Sequence, residues 1–347
     1  MNKVFLIGLA ATAMMASCSS DDTVETSKQN AITFSNAFVD KSTRSNFDPS
    51  YTNDDTKNPL TNFAVYGFAK NEQGATGQIF NGTSVTKDAG KWNYNTPQYW
   101  VPGNTYTFAA IAPIGKGEVT SSSLGDEKIN MVVRFENDEE GKTDLLYAAP
   151  EKIEVKDKNY SDPVQLTFKH ILSLVKFTFR NNLGANYDIR VKNIHITNAK
   201  KTGNFVVTED AETWDSQDGS FELHFGNATN NDGTTEATRI ENQKSADSYN
   251  ERLLIPTGDA YSVVFTIELL PNGSDLVLRS YDRTVSITNV PLKAGYRYNF
   301  TATIDKDNVN PDSPLKPIEF SVSTIEGWQQ ENEAENVTIP TTPQAGN

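Results

Sequence analysis

Three histidines, His170, His195 and His224, are the side chains of this sequence best suited to acid–base or metal chemistry. His170 falls in phase with the apolar residues Phe168 and Leu172, which is typical of a histidine in a protein core. No Gly-x-Ser-x-Gly elbow accompanies the histidines, and a single cysteine leaves no structural zinc framework. The sequence therefore predicts no catalytic, cofactor-binding or metal-binding residues, and we do not expect an enzyme.

Two short polar segments carry oxygen ligands of the kind that calcium uses. They are residues 215–219 (Asp-Ser-Gln-Asp-Gly) and residues 230–233 (Asn-Asn-Asp-Gly). Neither has the ligand spacing and closing glutamate of a calcium-binding loop. Asp, Asn and Gly in such clusters favour tight turns, which is our interpretation of both segments.

Cys18, the only cysteine, is a candidate for lipidation. It follows a short positive start and an apolar run, Val4–Ala16, that is too short to cross a bilayer, which needs about 20 residues. The residues Met15-Ala16-Ser17 before it are similar to a bacterial lipobox. We therefore predict a signal peptide over residues 1–17 and a lipidated linker over residues 18–30; a plain cleaved signal is the alternative.

The composition narrows the class of protein. The 45 acidic residues exceed the 31 basic ones and give a net charge of −14, which argues against a nucleic-acid partner. The mature chain is long for one β-sandwich and suits two domains. No apolar stretch after the first could span a membrane.

Alternating apolar residues are the main signal of secondary structure, and they indicate an all-β protein. In Tyr261–Leu270 the odd-numbered positions are apolar, and in Tyr296–Ile304 the even-numbered positions are apolar. The alternation slips within Val164–Phe179 and again at Asn193-Ile194, which a bulge or a strand that changes sheets would explain. Further strands are predicted at Ile32–Phe38, Phe63–Phe68, Tyr106–Ala112, Met131–Phe135, Leu145–Ala148, Ile189–Ile196, Phe221–Phe225, Arg252–Ile255, Leu276–Arg279, Arg283–Ile287 and Ile318–Val322.

A charged stretch ending at Pro163 marks the predicted domain boundary. We predict an N-terminal β-sandwich over residues 31–158, a C-terminal β-sandwich over residues 159–330 and a polar tail over residues 331–347. Four aromatic residues of the first domain, Trp92, Tyr94, Tyr99 and Trp100, either fill its core or form a platform on which sugars stack.

Several short motifs occur in an order that resembles the fimbrillin-like family of Bacteroidales. The motifs are Ile32-Thr33-Phe34, Ser42-Thr43-Arg44-Ser45, Phe63-Ala64-Val65-Tyr66-Gly67, Trp92-Asn93-Tyr94, Tyr99-Trp100, Tyr106 to Ala110, Asp144 to Ala148, Val164 to His170, Leu254-Ile255-Pro256, Leu292 to Tyr298 and Phe320 to Trp328. The acidic stretch Ser19–Asp22 behind Cys18 is similar to the surface-export signal of Bacteroidales lipoproteins.

The resemblance implies a fold, a location and a mode of assembly. The fold is two transthyretin-like β-sandwich domains in tandem after a lipoprotein signal peptide, in a precursor anchored to the outer membrane and exposed at the cell surface. In family members that form a fimbrial shaft, a trypsin-like protease cuts after an arginine near the N-terminus. By this resemblance the cut falls between Arg44 and Ser45, and the excised strand carries Ile32, Phe34 and Phe38.

The cleft left by the excised strand is then filled by a C-terminal strand of the next subunit. Two segments of this chain resemble such a donor strand. One is the tail with Val337 and Ile339; the other starts at Ile318 and includes Phe320 and Val322.

We therefore expect a structural subunit or minor component of a fimbrium that serves cell adhesion. Its expected partners are other fimbrial subunits, the outer membrane through the acyl chains (palmitate among them) on Cys18, and a host glycan or protein; no cofactor is expected. The alternative function is a monomeric surface lipoprotein that binds a glycan or a host protein.

Overall fold

A computed structural model of the protein describes residues 30–38, 59–230, 233–309 and 315–323. It confirms the all-β prediction: these residues form twenty strands and a 3-10 turn at Lys306–Asn308, without an α-helix. The first ten strands are β1 (Phe34–Phe38), β2 (Asn62–Lys70), β3 (Thr76–Asp88), β4 (Lys91–Asn93), β5 (Thr105–Ala112), β6 (Gly117–Leu124), β7 (Ile129–Glu136), β8 (Leu146–Ala148), β9 (Ile153–Glu154) and β10 (Val164–His170). The others are β11 (Ser173–Asn181), β12 (Tyr187–Val207), β13 (Glu212–Gly226), β14 (Ala228–Thr229), β15 (Ser245–Ser248), β16 (Arg252–Leu254), β17 (Tyr261–Pro271), β18 (Arg279–Ile287), β19 (Arg297–Ile304) and β20 (Phe320–Ser323).

The strands form three sheets. An eight-stranded sheet has the order β1-β10-β8-β5-β2-β3-β4, with β9 paired to β5. A second sheet, which we call the β11 sheet, has the order β14-β15-β11-β19-β20, with β16 also on β11. The third, the β12 sheet, has the order β18-β17-β12-β7-β6, with β13 also on β12.

Three apolar clusters form the interior of the described part of the protein. The N-terminal core is built by residues of the eight-stranded sheet and the loops at its ends, so this sheet curls around its own core. The C-terminal core lies between the β11 sheet and the β12 sheet. A middle core lies between the eight-stranded sheet and the β7–β12 part of the β12 sheet.

The β5 strand shows how the sequence produces this layering. Tyr106 and Phe108 belong to the N-terminal core, whereas the alternate residues Ala109 and Ile111 belong to the middle core. Because both faces of the strand are covered, its sequence is an almost unbroken apolar run.

The 21-residue strand β12 belongs to both halves of the molecule. Its first part pairs with β17, and its last six residues, Thr202–Val207, pair with β7 from the N-terminal half. Its inward residues accordingly change from the C-terminal core to the middle core, which Phe205 joins.

Both slips in the apolar alternation have a structural cause. Between residues 164 and 181 the chain passes from β10 in the eight-stranded sheet to β11 in the β11 sheet. The first slip is therefore a change of sheet, one of the two causes considered from the sequence. At Asn193-Ile194 the register shifts against both neighbouring strands, and Asn193 has a positive φ of 55°. This second slip is a β-bulge.

The strand pairing crosses the predicted domain boundary. Although β10 follows residue 158, it lies in the eight-stranded sheet with the strands of the N-terminal half. The division into domains at residues 158 and 159 stays a prediction. Leu276–Arg279, predicted as a strand, is wrong in position: β18 begins at Arg279, and Leu276, Val277 and Leu278 are exposed.

Candidate strand-exchange site

Strand β1 lies at one edge of the eight-stranded sheet. It runs parallel to β10, in a register that sets Phe34 opposite Val164. Among the described strands, β10 alone pairs with β1. The strand is therefore attached to the sheet by one hydrogen-bond ladder, and its other edge does not pair with any described strand.

The residues just before β1 are tied to the loops at the same end of the sheet. The Ile32 amide donates to the Gln98 carbonyl at 2.8 Å, and the Tyr94 hydroxyl donates to the Ile32 carbonyl at 2.7 Å. The Trp100 amide donates to the Asn30 carbonyl at 2.9 Å. We call the space that β1 and the residues just before it occupy the β1 cleft. These hydrogen bonds fix the chain at the entrance of this cleft, next to the ladder that holds β1.

The side chains of this segment complete the N-terminal core. Ile32 is fully buried and Phe34 is 6% exposed. The Phe34 ring packs edge-on against four aromatic rings, with centroid distances of 5.6 to 6.2 Å; they belong to Phe63, Phe80, Tyr94 and Phe108. Burying an aliphatic or phenyl side chain contributes about 1.5–3 kcal/mol, so Ile32 and Phe34 are a substantial part of this core.

The segment 92–100, which carries four aromatic residues, forms one wall of the β1 cleft. Trp100 is buried against Tyr106 at 4.8 Å, while Trp92 is half-buried against Phe63 at 4.9 Å. Burial raises the pKa of the half-buried Tyr94 hydroxyl. Of the four aromatics considered from sequence, Tyr99 alone is largely exposed, at 45%. The arrangement fits core filling and lacks a row of exposed rings on which a sugar could stack.

The C-terminal candidate donor segment lies in its own subunit's core. β20 pairs antiparallel with β19 at the edge of the β11 sheet, and Ile318, Phe320 and Val322 are buried. The Phe320 ring contacts other aromatic rings at centroid distances of 5.4 to 6.5 Å; they belong to Phe177, Phe179, Phe265 and Phe300. Donation of β20 to another subunit would remove Phe320 and Val322 from the C-terminal core.

Strands β1 and β19 both run parallel to the chain segment formed by β10 and β11. The Val164 amide donates to the Thr33 carbonyl, and further along the Leu174 amide donates to the Tyr296 carbonyl. β20 runs antiparallel to β19, so that its last residue, Ser323, lies opposite Asn299 near the start of β19. β20 therefore ends near the start of β11, the end of that strand that adjoins β10 of the eight-stranded sheet.

Several predicted site residues lie outside the described residues. They are Cys18, Arg44, Ser45, Val337, Ile339 and the side chain of Phe38. Arg44 falls in the interval 39–58, between β1 and the isolated bridge residue Pro59 that precedes β2.

His170 is a buried core histidine, as the alternation predicted. Its Nδ1 lies 2.7 Å from a carboxylate oxygen of Asp144, and both side chains are fully buried. Sequence analysis missed this role of Asp144, because the two residues are 26 positions apart and meet only when β8 pairs with β10.

The described part of the chain contains no group of three or more His, Cys, Asp or Glu side chains arranged to hold a metal ion. Within the same residues, no helix is long and apolar enough to span a membrane.

The sequence model of the family described as fimbrillin-like matches residues 21–328. The chain belongs to the fimbrillin-like family. This confirms the resemblance seen in the order of the sequence motifs, and the match extends from the predicted linker to Trp328. No curated protein matches the chain.

Solved structures are similar to the chain at low sequence identity. A fimbrial protein from Bacteroides vulgatus is 17% identical with a TM-score of 0.56, and the match covers 86% of this chain and all of that one. The fimbrial anchor protein Mfa2 from Porphyromonas gingivalis is 15% identical with a TM-score of 0.33, over 85% of this chain and 96% of that one. The first likeness supports the fold.

Proposed function

We propose that this protein is a subunit of a cell-surface fimbria, serves adhesion and assembles by strand exchange after proteolytic removal of β1. The observation that carries the proposal is β1 itself. It is an edge strand held by one ladder, yet the side chains of its Phe34 and of Ile32 just before it close the N-terminal core. Membership of the fimbrillin-like family supports the surface location and the structural role.

Loss of β1 would create a site for another strand. The β10 edge would expose unpaired backbone groups, and the cleft would expose the rings of Phe63, Phe80 and Phe108 that Phe34 now covers. A sheet edge beside an apolar cleft is the arrangement that binds an extended peptide by strand addition. An incoming strand with apolar residues at alternate positions would restore both the ladder and the core.

Cleavage between Arg44 and Ser45 is the step that frees β1. The cut falls between β1 and β2, so it severs the covalent link to the rest of the subunit and leaves β1 held by its ladder and buried side chains. If Cys18 carries acyl chains, the same cut separates the subunit from its membrane anchor. Cleavage would thus couple release from the outer membrane to readiness for assembly.

The donor in this proposal lies in the segment after Ser323, which includes Val337 and Ile339. Donation of β20 together with Ile318 would strip three buried side chains from the C-terminal core, at about 1.5–3 kcal/mol each. A segment beyond β20 can be donated while β20 continues to close that core.

The test uses the full chain with Cys18→Ser, so that lipidation does not interfere, and an arginine-specific protease. Arg44→Lys keeps the charge and removes the cleavage site; Arg279→Lys, at the exposed start of β18, is the matched control. N-terminal sequencing of the product should begin at Ser45, and size-exclusion chromatography should show oligomers only after cleavage. Arg44→Lys should stay uncut and monomeric, whereas Arg279→Lys should behave as the unmodified chain.

A cut protein that loses β1 and remains monomeric would exclude the strand-exchange function. The alternative function, a monomeric surface protein that binds a glycan or a host protein, would then fit the result better.

A further inference from the structure

Two of the three histidines of the chain face each other on one surface. His195 on β12 and His224 on β13 are directly paired across the antiparallel ladder. Their ring centres are 5.1 Å apart and the ring planes differ by 32°. The His224 side chain is 62% exposed, so solvent reaches the pair.

A backbone hydrogen bond fixes the tautomer of His195. Its Nδ1 lies 2.8 Å from the Asn193 carbonyl oxygen, and a carbonyl can only accept, so Nδ1–H donates. The neutral ring then carries its lone pair on Nε2, which is free to bind a metal ion. Metal-binding histidines commonly donate their second ring nitrogen to a carbonyl in this way.

The two rings meet beside bulges in the backbone. Between the pairs Ile194–Gly226 and His195–His224, β13 has one extra residue, Phe225. Asn193 adopts a left-handed conformation, and the pairing register shifts next to His195 on both of its neighbouring strands. Bulges redirect a side chain relative to a regular ladder. The local backbone therefore sets His195 opposite His224 and holds its ring through the same residue, Asn193.

We propose that His195 and His224 form a surface site for a divalent transition-metal ion such as Zn²⁺, with water at the remaining coordination positions. Zn–N bonds of about 2.0–2.1 Å place two imidazole ring centres about 5 Å apart around a tetrahedral ion, close to the observed separation. Imidazole nitrogen is a preferred ligand of zinc, copper and nickel ions. A Glu222 carboxylate oxygen lies 3.7 Å from His224 Nε2 and adds a negative charge beside the ion.

The bound ion would link β12 to β13 at the point where the bulge interrupts their ladder. This role is independent of strand exchange, because the pair lies on the β12 sheet and not at the β1 cleft.

The test is titration of the full chain, carrying Cys18→Ser and no histidine tag, with Zn²⁺ alone. Three histidines give three sets of imidazole NMR signals. Those of His195 and His224 should shift with one equivalent of Zn²⁺, while those of the buried His170 stay in place and serve as an internal control. In calorimetry, His195→Gln or His224→Gln should each weaken binding by about 10-fold or more, because one of two protein ligands is lost.

Acid should also release the ion, because a protonated imidazole cannot bind a metal. A matched control, Glu72→Gln, changes an exposed carboxylate in the turn between β2 and β3 of the eight-stranded sheet and should bind as the unmodified chain does. The proposal is wrong if millimolar Zn²⁺ leaves the His195 and His224 signals unchanged. It is equally wrong if His224→Gln binds as tightly as the unmodified chain.

Discussion

At the residue scale, Phe34 occupies the centre of an aromatic cluster contributed by strands that are distant in sequence. Replacement by alanine leaves a cavity that the surrounding rings cannot fill, so we expect Phe34→Ala to lower the free energy of unfolding by about 3–5 kcal/mol. Urea unfolding measures this change. Tyr99→Ala, which removes a largely exposed ring next to Gln98, should cost less than about 1 kcal/mol. Equal effects of the two substitutions would mean that Phe34 does not close the core.

Sequence analysis predicts which single residues are buried, but not which distant residues they contact. The inward direction of Ile32 and Phe34 follows from alternation, because a strand with one buried face repeats every two residues. The partner of His170 does not follow, since Asp144 is brought to it by a strand pairing that depends on the whole sheet. The His195–His224 pair could likewise not be predicted from sequence, because a shift of register between β12 and β13 decides which residues face each other.

At the element scale, β20 and the segment after it have separable roles. A chain that ends after Ser323 keeps Ile318, Phe320 and Val322 in the C-terminal core, so its stability should remain within about 0.5 kcal/mol of the full chain. A chain that ends after Val309 loses these three side chains and should lose about 4 kcal/mol or more. Denaturant unfolding of both truncations, compared with the full chain, measures the difference.

The same truncations identify the donor strand. After cleavage at Arg44, the chain that ends after Ser323 should stay monomeric, because it retains β20 and lacks only the proposed donor. Oligomers of this truncated chain would assign strand donation to β20 or to another part of the molecule.

Strands with a buried face were predicted well, and polar strands were not. The alternation in β17 gave its position to within one residue, since five of its side chains enter the C-terminal core. β3 and β6 were missed because few of their residues are buried. The apolar residues Leu276, Val277 and Leu278 misled in the opposite sense, since they are exposed rather than packed on a sheet.

At the scale of the whole molecule, the two halves share a strand and a core. β12 pairs with β17 and with β7, and the middle core combines side chains from both halves. We therefore expect one cooperative unfolding transition in calorimetry. Phe205→Ala, in the middle core, should lower the midpoint of that transition without splitting it. Two separate transitions in the unmodified chain would show that the halves unfold independently.

The arrangement of strands also determines how the molecule responds to mechanical tension. On the path from β1 to β20, β1 pairs parallel with β10, β11 continues the chain and pairs parallel with β19, and β19 pairs antiparallel with β20. A pull between the β1 cleft and the end of β20 therefore acts along the strands and across their hydrogen bonds. Bonds loaded in this direction share the force and fail together, and β12, a single strand of about 70 Å, connects the two halves along the same sheet.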